Sequence, residues 1–280
     1  MKVTLWGTKG SLPAAGPETV RYGGNTACVE VRGADGTLLV LDAGTGIRRL
    51  GATLDHQVSR LDLLLTHLHM DHIQGLGFFK PLYQPGLDVH IWGPSSAAHD
   101  LRTRLIRYLS PPLFPVRVRD LPCRLTFHAV PQGSFKIGGF QITADRVCHP
   151  GPTFGYRITE DSISMAYLPD HEPALGARHP LRDADWTSGF DLASDVDLLI
   201  HDAQYSAADY DRHVGWGHSS ILHAVEFAAA TGVDRLVTFH HDPAYDDLVL
   251  DQLVEEARGS SDLPFKLAPG TEGASFHLEA

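Results

Sequence analysis

Residues 65–75 read Leu65-Thr66-His67-Leu68-His69-Met70-Asp71-His72-Ile73-Gln74-Gly75. Three histidines and an aspartate fall in the pattern H-x-H-x-D-H. The apolar run ahead of them, Leu61-Asp62-Leu63-Leu64-Leu65, predicts a buried strand over 61–66. The four polar residues then sit on the loop that leaves the strand's C-terminal edge, where layered α/β proteins place their sites. Imidazole nitrogen and carboxylate oxygen suit zinc, manganese and iron. His67 and His69 point the same way from an extended chain. Asp71 and His72 are then free to turn toward a second ion.

The chain around this stretch has 280 residues, of which 43% are apolar and 20% charged. That is enough for a large packed core, and no low-complexity tract argues for disorder. The formal net charge of −11 lacks the basic excess that a non-specific nucleic-acid binder uses. Cys28, Cys123 and Cys148 are sparse, odd in number and without a C-x-x-C pair, which fits a reducing cytosol. The start, Met1-Lys2-Val3-Thr4-Leu5-Trp6-Gly7, has no long apolar run, so no signal peptide is expected. No 18-residue apolar run predicts a membrane span.

Strands are expected at 2–6, 26–32, 38–42, 61–66, 88–92, 125–130, 135–137, 140–147, 154–159, 164–168, 196–200 and 235–239, with one or two more after 263. Helices are expected near 46–54, 95–109, 219–231 and 246–258, the third ending at Gly232. Pro111, Pro112, Pro115 and Pro122 make 110–123 an irregular connection. Strands precede the first long helix, and strands and helices then recur in each half. This suggests two sheets packed together with helices outside. No linker divides residues 1–280, so one domain is expected.

Several of these strands end in the same chemistry. After the first motif come Cys148-His149-Pro150-Gly151, Pro169-Asp170, His201-Asp202 and His240-His241-Asp242. A histidine held for packing sits more often inside a strand than past its end. The series resembles the metallo-β-lactamase superfamily, whose motif order is H-x-H-x-D-H, a lone His, a lone Asp and a final His. The resemblance runs from Gly7-Thr8-Lys9-Gly10-Ser11 and Gly23-Gly24-Asn25-Thr26 to the final helix.

That resemblance implies an α+β fold, an αββα sandwich of two mixed sheets with a dinuclear metal site at the sheet edges. It implies His67, His69 and His149 as ligands of one divalent ion and Asp71, His72 and His240 as ligands of the other. Asp170 would bridge the two, and Asp42 would orient a ligand histidine. Zinc is the expected metal, with manganese and iron as alternatives. His240 and His241 face opposite sides of a strand, so one of them should reach the ions. Spacing after the apolar run favours His240 and leaves His241 to support the site or meet substrate.

His201-Asp202-Ala203-Gln204-Tyr205 and Gly217-His218-Ser219-Ser220 are similar to the late signature of ribonuclease Z and related cyclic phosphodiesterases. That likeness implies a catalytic role for His218 beside Asp71, with His201 in support. It implies a phosphodiesterase acting on a small anionic substrate by attack of a metal-bridging hydroxide. The alternatives are a hydrolase of lactones, thioesters or β-lactams, and a tRNA 3′-end endonuclease. The interval 171–195 is short and carries Glu172, Asp183, Asp185 and Asp191 beside Arg178 and Arg182. Together with the acidic balance it argues against long nucleic acid as a partner. Arg102, Arg104, Arg107, Arg117, Arg119 and Arg124 mark the 95–123 region as a lid, a dimer contact or a solvated face. A homodimer is expected from the relatives alone.

Overall fold

The computed structural model describes residues 1–54, 58–173, 175, 186–259 and 263–279. Among these residues the chain first lays down β1 (Lys2–Gly7), β2 (Cys28–Arg32), β3 (Leu38–Leu41), β4 (Arg60–Leu64), β5 (Asp88–Gly93) and β6 (Arg124–Ala129). A second series follows: β7 (Gly133–Ile137), β8 (Phe140–Arg146), β9 (Phe154–Glu160), β10 (Ile163–Leu168), β11 (Leu198–Asp202), β12 (Arg235–Phe239) and β13 (Lys266–Pro269). The last strand, β14 (Ser275–His277), returns to the first sheet and pairs antiparallel with β1. The sheets have the orders β14-β1-β2-β3-β4-β5-β6 and β13-β12-β11-β10-β9-β8-β7.

Each sheet is antiparallel at one side and parallel at the other. β3 to β6 are parallel neighbours, as are β10 to β13. β8 is antiparallel to β9, and β9 to β10, so β8 and β10 share a direction. The loops after β3 and β4 thus leave one edge of the first sheet. Those after β8, β10, β11 and β12 leave one edge of the second. Tyr156 on β9 donates its hydroxyl to the Leu65 carbonyl at 2.7 Å, and the Phe154 N–H donates to the Thr66 carbonyl at 3.0 Å. These bonds tie the second sheet to the H-x-H-x-D-H loop of the first.

Side-chain alternation sorts the core into layers. Leu39, Leu41 and Leu64 face Ile158, Met165, Tyr167, Ile200 and Phe239 between the sheets. On the outer face of the first sheet, Val40, Leu61 and Leu63 pack with Ile47 and Leu50 of α1 (Ile47–Thr53). Ile73 of α2 (Met70–Ile73) and Leu101 and Leu105 of α3 (Leu101–Ile106) join that cluster. On the outer face of the second sheet lie α4 (Phe190–Ala193), α6 (Ile221–Thr231) and α7 (Asp247–Arg258), with α5 (Ala207–His213) leading into α6. Strands β4 and β10 are buried on both faces because helices cover one side and a sheet the other. The expected αββα arrangement is what the chain adopts.

The expected helix over 95–109 is shorter. Asp100 caps α3 by accepting the Thr103 N–H at 2.6 Å, so the helix starts at Leu101. Gly93-Pro94 ends β5, and 95–99 carry no regular element. Gly232 stops α6 with φ of 71°, as its sequence suggested. Cys28, Cys123 and Cys148 are free thiols. Among the described residues no helix is long and apolar enough to cross a membrane.

Candidate metal centre

The site begins with Asp42, which ends β3 at φ of 59° and is fully buried. Its carboxylate accepts the Thr66 N–H at 2.8 Å, the Thr66 hydroxyl at 2.9 Å, the Tyr167 hydroxyl at 3.0 Å and the Nδ1–H of His72 at 2.8 Å. Thr66 Oγ1 in turn receives His67 Nδ1 at 3.0 Å. Two histidines of the motif are therefore oriented through one carboxylate. His149 donates Nδ1–H to the Gly217 carbonyl at 2.8 Å, and His240 donates Nδ1–H to Gln204 Oε1 at 3.0 Å. With each Nδ1 engaged, Nε2 of His67, His72, His149 and His240 carries the free lone pair.

Those nitrogens converge. One set of atoms on His67, His69, His149 and Asp170 lies within 4.8 Å of one another, and so does a set on Asp71, His72, Asp170 and His240. Asp170 belongs to both. Its Oδ2 stands 3.6 Å from His67 Nε2 and 3.6 Å from His149 Nε2. Its Oδ1 stands 2.9 Å from His72 Nε2 and 3.4 Å from His240 Nε2. Each carboxylate oxygen faces one cluster, which suits a bridge.

The donor set fits divalent cations. His72 Nε2 and His240 Nε2 meet at 3.3 Å, and His67 Nε2 and Asp170 Oδ1 are buried without a hydrogen-bond partner. Such facing acceptors repel and are costly to bury unless a cation lies between them. Burial holds His67, His69 and His149 below the ordinary imidazole pKa, in the neutral form that ligates. Burial also opposes charge on His72, but Asp170, Asp71 and Asp42 outweigh it and raise its pKa. A metal cation would take that proton's place.

His218 stands beside the clusters. Its ring stacks on His240 with centroids 4.9 Å apart and meets His149 edge-on at 4.9 Å. Nδ1 bonds Asp202 Oδ2 at 2.6 Å. Burial works against a charge here, but the Asp202 carboxylate outweighs it and raises the His218 pKa to about 9. Asp202 is fixed by the backbone N–H groups of His171, Gln204 and Ser219 at 3.0–3.2 Å.

Two of the expected supporting residues lie elsewhere. His201 turns to the outer face of the second sheet, where it packs on Phe227 and bonds His171 at 2.9 Å. His241 lies under Tyr22 and bonds the Gly270 carbonyl at 3.1 Å, so neither ring joins the clusters. His240 is the member of the pair that does; its φ of 59° breaks the strand path there. Sequence reasoning passed over Thr66, Tyr167, Gln204 and Ser11. The Ser11 N–H donates to Asp71 Oδ2 at 2.8 Å. The glycine ahead of it, Gly10, packs so close that a Cβ there would lie 2.3 Å from the His240 ring.

The pattern of the beta-lactamase superfamily domain matches residues 37–241. Ribonuclease Z of Kineococcus radiotolerans is 27% identical over 263 residues, covering 81% of this chain and 80% of its own. The metallo-β-lactamase fold protein YhfI from Bacillus subtilis superposes with a TM-score of 0.72 at 22% identity, covering 99% of each chain. Human tRNase Z, short form, does so with a TM-score of 0.68 at 22% identity over the full length of both. These matches correct one expectation. Long nucleic acid cannot be set aside as a partner, because relatives that align over four-fifths or more of their length are ribonucleases. The net charge failed as a guide because it averages the whole surface and omits the positive charge of bound ions. Of the interval used in that argument, residues 174 and 176–185, with Arg178, Arg182, Asp183 and Asp185, lie outside the described residues.

Proposed function

Because the chain belongs to the beta-lactamase superfamily, we propose that it is a metal-dependent phosphodiesterase. The observation that carries this reading is the His218–Asp202 pair beside the clusters. An imidazole outside the two clusters that share Asp170, kept protonated by a carboxylate, serves to protonate a departing oxygen. Hydrolysis of a thioester, whose thiolate leaves unprotonated, needs no such group.

We assign His67, His69 and His149 to one divalent ion, Asp71, His72 and His240 to a second, and Asp170 to both. Zinc is the expected metal, with manganese and iron competing by availability. When bound, the ions supply a nucleophile at neutral pH and neutralise phosphoryl charge. The Ser11 N–H holds the Asp71 carboxylate beside His72 and His240, where it would orient the attacking water. His218 gives its proton to the leaving oxygen and is recharged from solvent. Asp202 holds the ring in the required tautomer. Leu12, Met70 and Trp216 are 62%, 51% and 60% exposed and adjoin Ser11, Asp71 and Gly217 in sequence. An apolar or aromatic body next to the scissile phosphate, such as a nucleobase, suits this rim. Residues 1–280 are read as one domain, and the free thiols fit a reducing cytosol.

A second reading, cleavage at the 3′ end of tRNA, is favoured by the ribonuclease Z relative. One assay set separates the possibilities. Protein loaded with zinc or manganese is given bis-p-nitrophenyl phosphate, a 2′,3′-cyclic nucleotide, a precursor tRNA and a lactone. Diester cleavage is expected to vanish with chelator; in H218A cleavage of the cyclic nucleotide, which expels an alkoxide, should fall roughly 10²–10³-fold, and that of bis-p-nitrophenyl phosphate, whose phenolate leaves unprotonated, far less. Release of the tRNA trailer would fix the second reading. Lactone turnover that ignores H218A, with every diester untouched, would sink the phosphodiesterase assignment.

A further inference from the structure

Two charged side chains outside the ligand set are buried close to the clusters. Glu172 is 1% exposed and Lys9 is fully buried. Burying either charge is costly unless its hydrogen bonds are met, so what each one bonds is informative.

Glu172 accepts the Tyr210 hydroxyl at 2.8 Å, the Gly215 N–H at 3.0 Å and the Gly217 N–H at 2.9 Å. Its own N–H donates to the Cys148 carbonyl at 2.9 Å. It thus ties the Cys148-His149 loop to the Gly215–His218 loop. That second loop supplies the Gly217 carbonyl that fixes His149 Nδ1. Gly217 has φ of 86°, and a Cβ on it would lie 2.5 Å from His149 Nδ1. The loop therefore has one close-fitting position against His149.

Lys9 donates Nζ–H to the Tyr245 carbonyl at 2.6 Å and the Asp242 carbonyl at 3.2 Å. It pins the segment that follows His240 onto the loop 8–11. That loop bonds His241 on both sides: the Gly10 N–H reaches its carbonyl at 2.9 Å, and the Thr8 carbonyl receives its N–H at 3.0 Å. The same loop presses Gly10 on the His240 ring and aims the Ser11 N–H at Asp71.

We infer that Glu172 and Lys9 are positioning residues, each holding one half of the metal centre: Glu172 the His67/His69/His149 half, Lys9 the Asp71/His72/His240 half. This rests on the metal assignment above. The two halves can then be loosened separately, although Asp170 joins them. In E172Q one amide oxygen still accepts an N–H, but the NH₂ group faces a second backbone donor and pushes the loop off. In K9M two carbonyls lose their donor.

The test is titration of zinc into full-length protein against a chromophoric chelator, with cobalt absorption as a second readout. Wild type is expected to take two ions. E172Q should weaken one site roughly 10–100-fold and leave the other within about threefold. K9M should do the same to the opposite site. A double-mutant cycle assigns the halves: E172Q should add little in H149A and act in full in H240A, and K9M should show the reverse. Equal weakening of both sites by either variant, or no change, overturns the inference. Two undisturbed ions in both variants would leave the metal assignment standing. No ion bound by wild type would remove both. Should a variant fail to fold, E172D and K9R, which keep the charge but displace it, carry the same comparison.

Discussion

Asp202, more than its neighbour His201, gives His218 its chemistry. Adjacent strand residues point to opposite faces, so His201 goes to the Phe227 side and Asp202 to His218. The carboxylate raises the His218 pKa, to about 9 before any ion binds, so the ring keeps its proton at neutral pH and loses it as pH rises; ions bound beside it lower that value. Activity that needs this proton should fall on the same alkaline limb. D202N removes the charge and should move that limb down toward the ordinary imidazole value of about 6.5. A pH–rate profile at constant metal content decides; an unmoved limb would mean that His218 is not the proton donor. The H-x-H-x-D-H residues stood out because four side chains able to bind a metal share six consecutive positions. The roles of Gln204, Glu172 and Lys9 did not, even where a quoted motif contains the residue, since their partners lie 36, 45 and 236 residues away.

Strands and their ends were the most legible elements, and Gly155 on β9 shows what stayed hidden. In sequence it is an unremarked glycine within an expected strand. In the fold a Cβ there would lie 2.2 Å from Leu168 and 2.9 Å from Leu192, which lets α4 seat on the second sheet. G155A should cost about 1–3 kcal/mol by overpacking, read from urea denaturation at unchanged m-value. Loss of less than about 0.5 kcal/mol would show that α4 yields freely. The helix expected from 95 failed for a related reason. The expected helix began at 95, but the Asp100 cap fixes the first turn at Leu101.

For the whole molecule, the sandwich could be read from the succession of strands and helices, but the return of β14 to β1 could not. That pairing joins Lys2 to His277 across nearly the full sequence. The layered core also sets the response to acid. Burial lowers the pKa of His201 to about 4 and of His241 to about 3, with Lys9 adding to the second. The unfolded chain takes up these protons near pH 6.5 and the folded chain does not. Stability therefore falls as pH drops from about 6.5 toward 4, by roughly 3 kcal/mol for His201 alone. Denaturation at pH 7, 5.5 and 4.5 should show the slope, and H201F should flatten it; equal slopes would place the acid sensitivity elsewhere. The residues proposed as ligands come from both sheets: 67–72 follow β4, and His149, Asp170 and His240 follow β8, β10 and β12. An occupied centre is thus a cross-brace between layers that are otherwise joined by packing and a few bonds such as Tyr156 to Leu65. Parting the layers means stripping the ions first, so the brace slows unfolding more than it speeds folding. The lifetime of the folded chain is then set by how fast it loses its metal.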